Sequence, residues 1–245
     1  MNKTDTFKEK RLNFLNTAKF FCDEQWEEIE MYSKDNDEEI RKQVAELLGF
    51  HHCEKSENIL VSMLNDTDCL VRAEVCDSLC FSVNDLLLKT LLDTFKNDSS
   101  VLVRGYAILA IGDILTNLNK NLDDDLKGVI LNSEKNEDAW VKVAIYRTLI
   151  KTGHKKYQKK LIEKIESLSY RNRIFVISMI KDVVFDMDMC NIEFLYKKII
   201  DLMRNEETES VLFSVRDLLV VVESILKNQS EKSNTGDGSV CSAEE

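Results

Sequence analysis

Ser100-Val101-Leu102-Val103-Arg104-Gly105-Tyr106-Ala107-Ile108-Leu109-Ala110-Ile111-Gly112 is the stretch on which the fold turns. Val103 is followed at four and eight residues by Ala107 and Ile111, and a basic residue, Arg104, comes directly after it. That spacing puts the three apolar side chains on one face of an α-helix, whereas a strand would alternate at every second residue. Ser100 stands where a helix N-cap belongs, since a hydroxyl there can accept an orphan amide hydrogen of the first turn.

The same arrangement recurs on both sides. Asp37-Glu38-Glu39-Ile40-Arg41 continues with Val44 and Leu48; Asp68-Cys69-Leu70-Val71-Arg72 continues with Val75 and Leu79. Asp138-Ala139-Trp140-Val141-Lys142 continues with Ile145 and Leu149. Two weaker copies follow: Ser169 to Arg173 with Val176 and Ile180, then Thr208 to Leu212 with Val215 and Leu219, where the basic residue is gone. Positions 41, 72, 104, 142, 173 and 212 stand 31, 32, 38, 31 and 39 residues apart. A second amphipathic helix is expected before each marked one, near 18–32, 57–65, 84–96, 122–132, 155–166 and 191–204. Thr6-Phe7-Lys8-Glu9 reads as a capping box at the start. One helical pair cannot bury its apolar face alone, but stacked pairs share a continuous core. The pattern predicts about six such pairs.

Composition agrees with this reading and removes others. Hydrophobic residues make up 44% and charged residues 31% of the 245, a globular balance. Proline is absent and glycine occurs 7 times, so little punctuates a sheet or stops a helix. The net charge of −11 opposes a surface coated for DNA. No run approaches the roughly 18 to 20 apolar residues of a membrane span, and Met1 to Asp5 holds no apolar leader core, so no membrane and a cytoplasmic location are expected. The seven cysteines are an odd set and read as reduced, small hydrophobes. Residues 229–245 are Ser, Gly, Asn and charge, expected as a disordered polar tail behind a domain spanning 1–228.

The pattern Asp-x-x-Val-Arg-x-x-x-Ala/Val-x-x-x-Leu resembles the second helix of HEAT repeats, especially the short HEAT-like repeats of bacterial phycobilisome lyase subunits. Val103, Arg104, Ala107, Ala110, Ile111 and Gly112 fall in place, and Gly49 holds the matching late position in the first copy. The resemblance runs over residues 18–226 and is strongest from 35 to 150; the usual turn proline is missing. It implies an all-α, right-handed α-solenoid. It also implies a ladder of ion pairs between neighbouring repeats, a role that falls to Asp37, Asp68, Asp138, Arg41, Arg72, Arg104 and Lys142.

In such solenoids the second helices line the concave, binding surface. Positions two, three, six and ten after each aliphatic mark should then point away from the core. They include Ala73, Gly105, Val143, Ala144, Phe81, Phe213 and Asp217. The expected partner-binding residues are Glu46, Glu74, Asp77, Tyr106, Leu109, Asp113 and Arg147, carboxylates around an aromatic that suit a basic protein. Between Lys142 and Arg173 ten basic residues stand against Glu163 and Glu166. Lys155, Lys156, Lys159, Lys160 and Lys164 share the outer side of an amphipathic helix, which reads as a solvated face.

Catalytic constellations are poor. His51, His52 and His154 fall in loops with no nucleophile elbow nearby. Cys53 follows two histidines but without paired metal-ligand spacing. Asp123-Asp124-Asp125 and Asp186-Met187-Asp188 lack the glycine and terminal glutamate of a calcium loop and suit helix N-termini. No catalytic residue, metal or cofactor is expected. The expectation is a non-catalytic protein-binding scaffold or adaptor, in its sharpest form an inhibitor or immunity protein for a basic, nuclease-type toxin. The resemblance leaves two alternatives, a HEAT-like DNA glycosylase and a bilin lyase-like tetrapyrrole-handling protein; the acidic charge and absent basic stripe count against nucleic acid.

Overall fold

Asp37 accepts the amide of Glu39, Asp68 those of Leu70 and Val71, and Asp138 that of Trp140. Each caps its own helix, so three of the marked helices start where the sequence placed them. The computed structural model describes residues 23–51, 53–135, 137–167 and 169–234. The expected capping box at Thr6 to Glu9, the start of the first helix at 18–22, His52 and residues 235–245 lie outside them. The chain divides into two compact units, Met1–Gly153 and His154–Glu245.

In the first unit four helical pairs follow one another: α1 (Asp23–Tyr32) with α2 (Glu38–Gly49), α3 (Glu54–Met63) with α4 (Cys69–Leu79), α5 (Leu87–Asn97) with α6 (Val101–Asn117), and α7 (Asp124–Glu134) with α8 (Ala139–Lys151). The second helices α2, α4, α6 and α8 pack in a row, each also packing on its own first helix. Ile40, Val44, Leu48, Val71, Val75, Leu79, Val103, Ala107, Ile111, Val141, Ile145 and Leu149 are all at 1% exposure or less, so the i, i+4, i+8 stripe is the core. The late glycines let neighbouring second helices close up. A Cβ on Gly49 would sit 2.9 Å from the Cβ of Ser78, and one on Gly112 would sit 2.9 Å from Oγ1 of Thr148.

The second unit begins with a turn of 3-10 helix (Lys155–Tyr157), then α9 (Gln158–Glu163), a second such turn (Lys164–Glu166), and α10 (Tyr170–Val183). A single helix was expected over 155–166; instead the segment tightens at both ends. Buried Gln158 donates to the Asp186 carbonyl at 3.2 Å and accepts from the Asp188 amide at 3.1 Å and from Asn191 at 2.7 Å. A buried amide needs such partners, and these fix α9 against the loop before α11. After a further 3-10 turn (Val184–Asp186), α11 (Met189–Asn205) pairs with α12 (Glu209–Asn234).

The tail boundary at 229 needs correction, because α12 runs on to Asn234. Nothing from Gln229 to Asn234 breaks a helix, and the first glycine comes only at 236. Among the described residues there is no strand, and no helix is long and apolar enough to cross a membrane.

Candidate functional site

Arg41 donates from Nε and Nη2 to the two carboxylate oxygens of Asp66 at 2.6 and 2.8 Å. Arg72 repeats this on Asp98 at 2.7 and 2.9 Å. Arg104 reaches Glu137 at 2.9 Å, and in the second unit Arg173 reaches Glu206 at 2.6 and 3.0 Å. In each case Nη1 donates to a carbonyl six residues back, at Asp35, Asp66, Asp98 or Ser167. The acids stand before the next second helix and also accept its entry amide: Asp66 from Asp68, Asp98 from Ser100 and Glu206 from Thr208, all at 2.8 Å. A ladder therefore exists, with the three expected arginines and a fourth, Arg173, that was not expected, but with different acids. Asp37, Asp68 and Asp138 cap helices, and Lys142 joins no ion pair among the described residues. The signal was present in the sequence as Asp66-x-Asp68 and Asp98-x-Ser100, an acid two residues ahead of the cap.

Burial pushes the Asp66, Asp98 and Glu206 carboxyls up. The guanidinium hydrogen bonds, the entry amides and the arginine charges outweigh it and hold all three below the ordinary carboxylate range. These pairs hold repeats together and leave no charge spare for a partner.

Acidic charge without an arginine partner gathers on the second-helix face of the first unit. Glu46 on α2 and Asp77 on α4 are exposed; Glu74 on α4 and Tyr106 on α6 are half-buried. Burial raises the Glu74 carboxyl, and the charges of Asp77 and Glu46 raise it further, opposed by Lys42. Although the Asp77 side chain is exposed, partial desolvation by the protein around it, and then Asp113, raise it, while burial, Asp77 and Glu74 raise the Tyr106 hydroxyl. Four of the expected site residues thus share one electrostatic neighbourhood. Tyr106 packs at 5.6 Å, tilted 50°, on Trp140 of α8, which gives the acidic patch an aromatic flank. A partner that brought positive charge would relieve the mutual repulsion of these carboxylates.

Three expected site residues sit differently. Leu109 is buried, and Arg147 is buried at 5% exposure rather than turned outward. Arg147 donates to the Leu109 carbonyl at 3.3 Å and to Asp113 at 2.7 Å; Lys151 donates to Asp113 at 2.6 Å. The Asp113 carboxylate is thereby neutralised by two cations. Ala73, Gly105, Val143 and Ala144, expected to face away from the core, are buried as well. The reason is that α6 is flanked by α4 on one side and α8 on the other, so its buried stripe widens past the i, i+4, i+8 line. Phe81, Phe213 and Asp217 are exposed as expected.

Asp123 caps α7 by accepting the Leu126 amide, with Asp124 and Asp125 in the first turn. Among the described residues no group of three or more His, Cys, Asp or Glu side chains could hold a metal ion. Cys80 is pushed up to about 12, by burial first and then by Asp113 and Asp77, which leaves it a poor nucleophile at neutral pH.

Residues 29–112 match the family model described as HEAT repeats, which covers the segment from the end of α1 into α6. The X-ray structure of YibA from Escherichia coli is similar over 91% of this chain and 80% of that one, at 14% identity and a TM-score of 0.53. A HEAT-like repeats protein from the archaeon Thermococcus onnurineus NA1 aligns over 92% of this chain and 98% of its own at 12% identity, with a TM-score of 0.44. An engineered protein aligns over 82% and 97% at 16% identity, with a TM-score of 0.38. No curated protein matches the chain in sequence. The chain carries HEAT-like repeats, and its fold is all-helical.

Proposed function

We propose that this HEAT-like repeat chain is a non-catalytic protein-binding scaffold whose second-helix face, at Glu46, Glu74, Asp77 and Tyr106, takes a basic segment of another protein. One observation carries the reading. Half-buried Glu74 and exposed Asp77 are held above the ordinary carboxylate range by partial desolvation and by neighbouring acids, beside the Tyr106 and Trp140 rings. Ladder carboxylates, by contrast, already have arginine partners. Complementary charge speeds encounter and selects partners, while the aromatic flank gives a desolvated anchor. A basic, nuclease-type toxin is the sharpest version, since its substrate channel presents positive charge in bulk. Phosphate groups of DNA would meet the same carboxylates and be repelled.

Calorimetric titration with an oligolysine peptide tests the reading. Binding that weakens about tenfold in Glu74→Lys and Asp77→Lys, and is unchanged in Lys89→Glu on α5, supports it. Equal binding by all three variants would overturn it.

A further inference from the structure

The second unit carries the opposite charge on its first helices. Lys156, Lys159 and Lys160 are exposed on α9 and the turn before it, and Lys197 is exposed on the neighbouring α11. Four lysines of this region, Lys156, Lys159, Lys160 and Lys198, lie over rings. Lys159 and Lys198, from adjacent helices, each place Nζ 5.6 Å from the centre of Phe194. Lys156 and Lys160 sit 5.4 and 5.2 Å from the centre of Tyr157. Ammonium groups resting over ring faces are attracted to them, so this row is partly ordered before anything binds. Lys155 and Lys198 are tied to Asp188 and Glu166, while Glu163 and Glu193 are the row's dissenting charges.

The two patches carry opposite charge, each across two packed helices: Glu74 and Asp77 on α4 beside Glu39 and Glu46 on α2, and Lys159 and Lys160 on α9, with Lys156 in the turn before it, beside Lys197 on α11. Packed helices lie about 8–10 Å apart, so each patch spreads its charge over a similar width. Each also holds opposing charge, Lys42 in the acidic patch and Glu163 and Glu193 in the basic one.

We infer that the lysine row docks on the acidic face of a second copy of this chain. This rests on the reading of that face as a site for basic segments and names the segment. A nucleic acid fits the row less well, because Tyr157 is buried and Phe194 lies half-buried beneath two lysines, which leaves no open ring on which a base could stack. A contact between unlike patches either closes as a two-fold pair or continues from copy to copy, and both make mass grow with concentration.

Sedimentation equilibrium on the full chain tests this. At about 50 mM salt the weight-average mass should rise with concentration, and at about 0.5 M it should return to that of one chain, because exposed charges are screened there. Two reversed variants, E74K/D77K and K159E/K197E, should each associate at least about tenfold more weakly alone. An equimolar mixture should recover association to within about threefold, since the first keeps the lysine row and the second keeps the acidic face. Thermal melts matching the wild type exclude loss of fold. A wild type that stays single at low salt, reversed variants that associate normally, or a mixture that fails to recover would each overturn the inference. So would a single-chain wild type that binds oligothymidylate through Lys159 and Lys197. Oligolysine binding at Glu74 in a chain that does not self-associate would sink this inference alone and leave the acidic face as a site.

Discussion

Trp140 of α8 lies over Gly105 of α6 so closely that a Cβ on the glycine would fall 1.5 Å from Cζ3 of the indole. Neighbouring second helices therefore meet at a backbone-to-ring contact one residue before Tyr106. The ring that flanks the acidic patch is positioned by the absence of a side chain.

Gly105→Ala should lower stability by about 1–3 kcal/mol in urea denaturation, the usual cost of overpacking. In a Trp140→Ala background the same change should become neutral or stabilising. There only alanine's better helix propensity, about 1 kcal/mol, remains. An equal cost in both backgrounds would show that the indole is not what excludes a side chain.

Removing a ladder acid should cost more than removing a cap. Asp98→Ala leaves the mostly buried Arg72 guanidinium without its bidentate partner and should lose about 2–4 kcal/mol. Asp138→Ala loses one capping bond and should cost about 1 kcal/mol. Chemical denaturation of the two variants decides the order, which reverses if the cap aspartates carry the ladder.

Acid should act on the two sets of carboxylates in opposite senses. Asp66, Asp98 and Glu206 have depressed values in the folded chain. Their stabilisation is complete above the unfolded value near 4 and is lost as pH falls through the lower folded values. Glu74 and Asp77 are raised, so their contribution is present below about pH 4 and lost as pH rises through the folded values. Glu74→Gln with Asp77→Asn should therefore stabilise at pH 7 by a few tenths to about 1 kcal/mol, discounted for exposure, and do nothing at about pH 3. Melts of this variant at the two pH values check the sign.

Arg147 belongs to the interior, so Arg147→Met should leave oligolysine affinity within about twofold of wild type. Asp113→Ala should destabilise by about 3 kcal/mol, because it strands two cations, one of them buried. A large binding change in Arg147→Met with stability intact would place that side chain back on the recognition face.

Periodicity made the helical pairs legible because burial of one stripe is what a stacked pair requires. Val71, Val103 and Val141 are wholly buried, as their spacing demanded. Spacing could not report how many neighbours each helix has. It therefore turned Leu109 and Arg147 outward, although α4 and α8 cover the flanks of α6. The cap aspartates were visible from their position, but the resemblance transferred the ladder to them. The real acids, Asp66 and Asp98, stand two residues earlier, where one carboxylate can take a guanidinium and an entry amide together. The polar composition of 229–234 read as tail, yet a solvated stretch without glycine or proline can continue a helix already begun.

Amide chemical-shift mapping of the labelled chain during titration with oligolysine tests the acidic docking face most directly. Shifts concentrated at Glu46, Glu74, Asp77 and Tyr106, and suppressed by high salt, are expected. Shifts centred elsewhere, or none at low salt, would contradict a basic-segment site on the second-helix face.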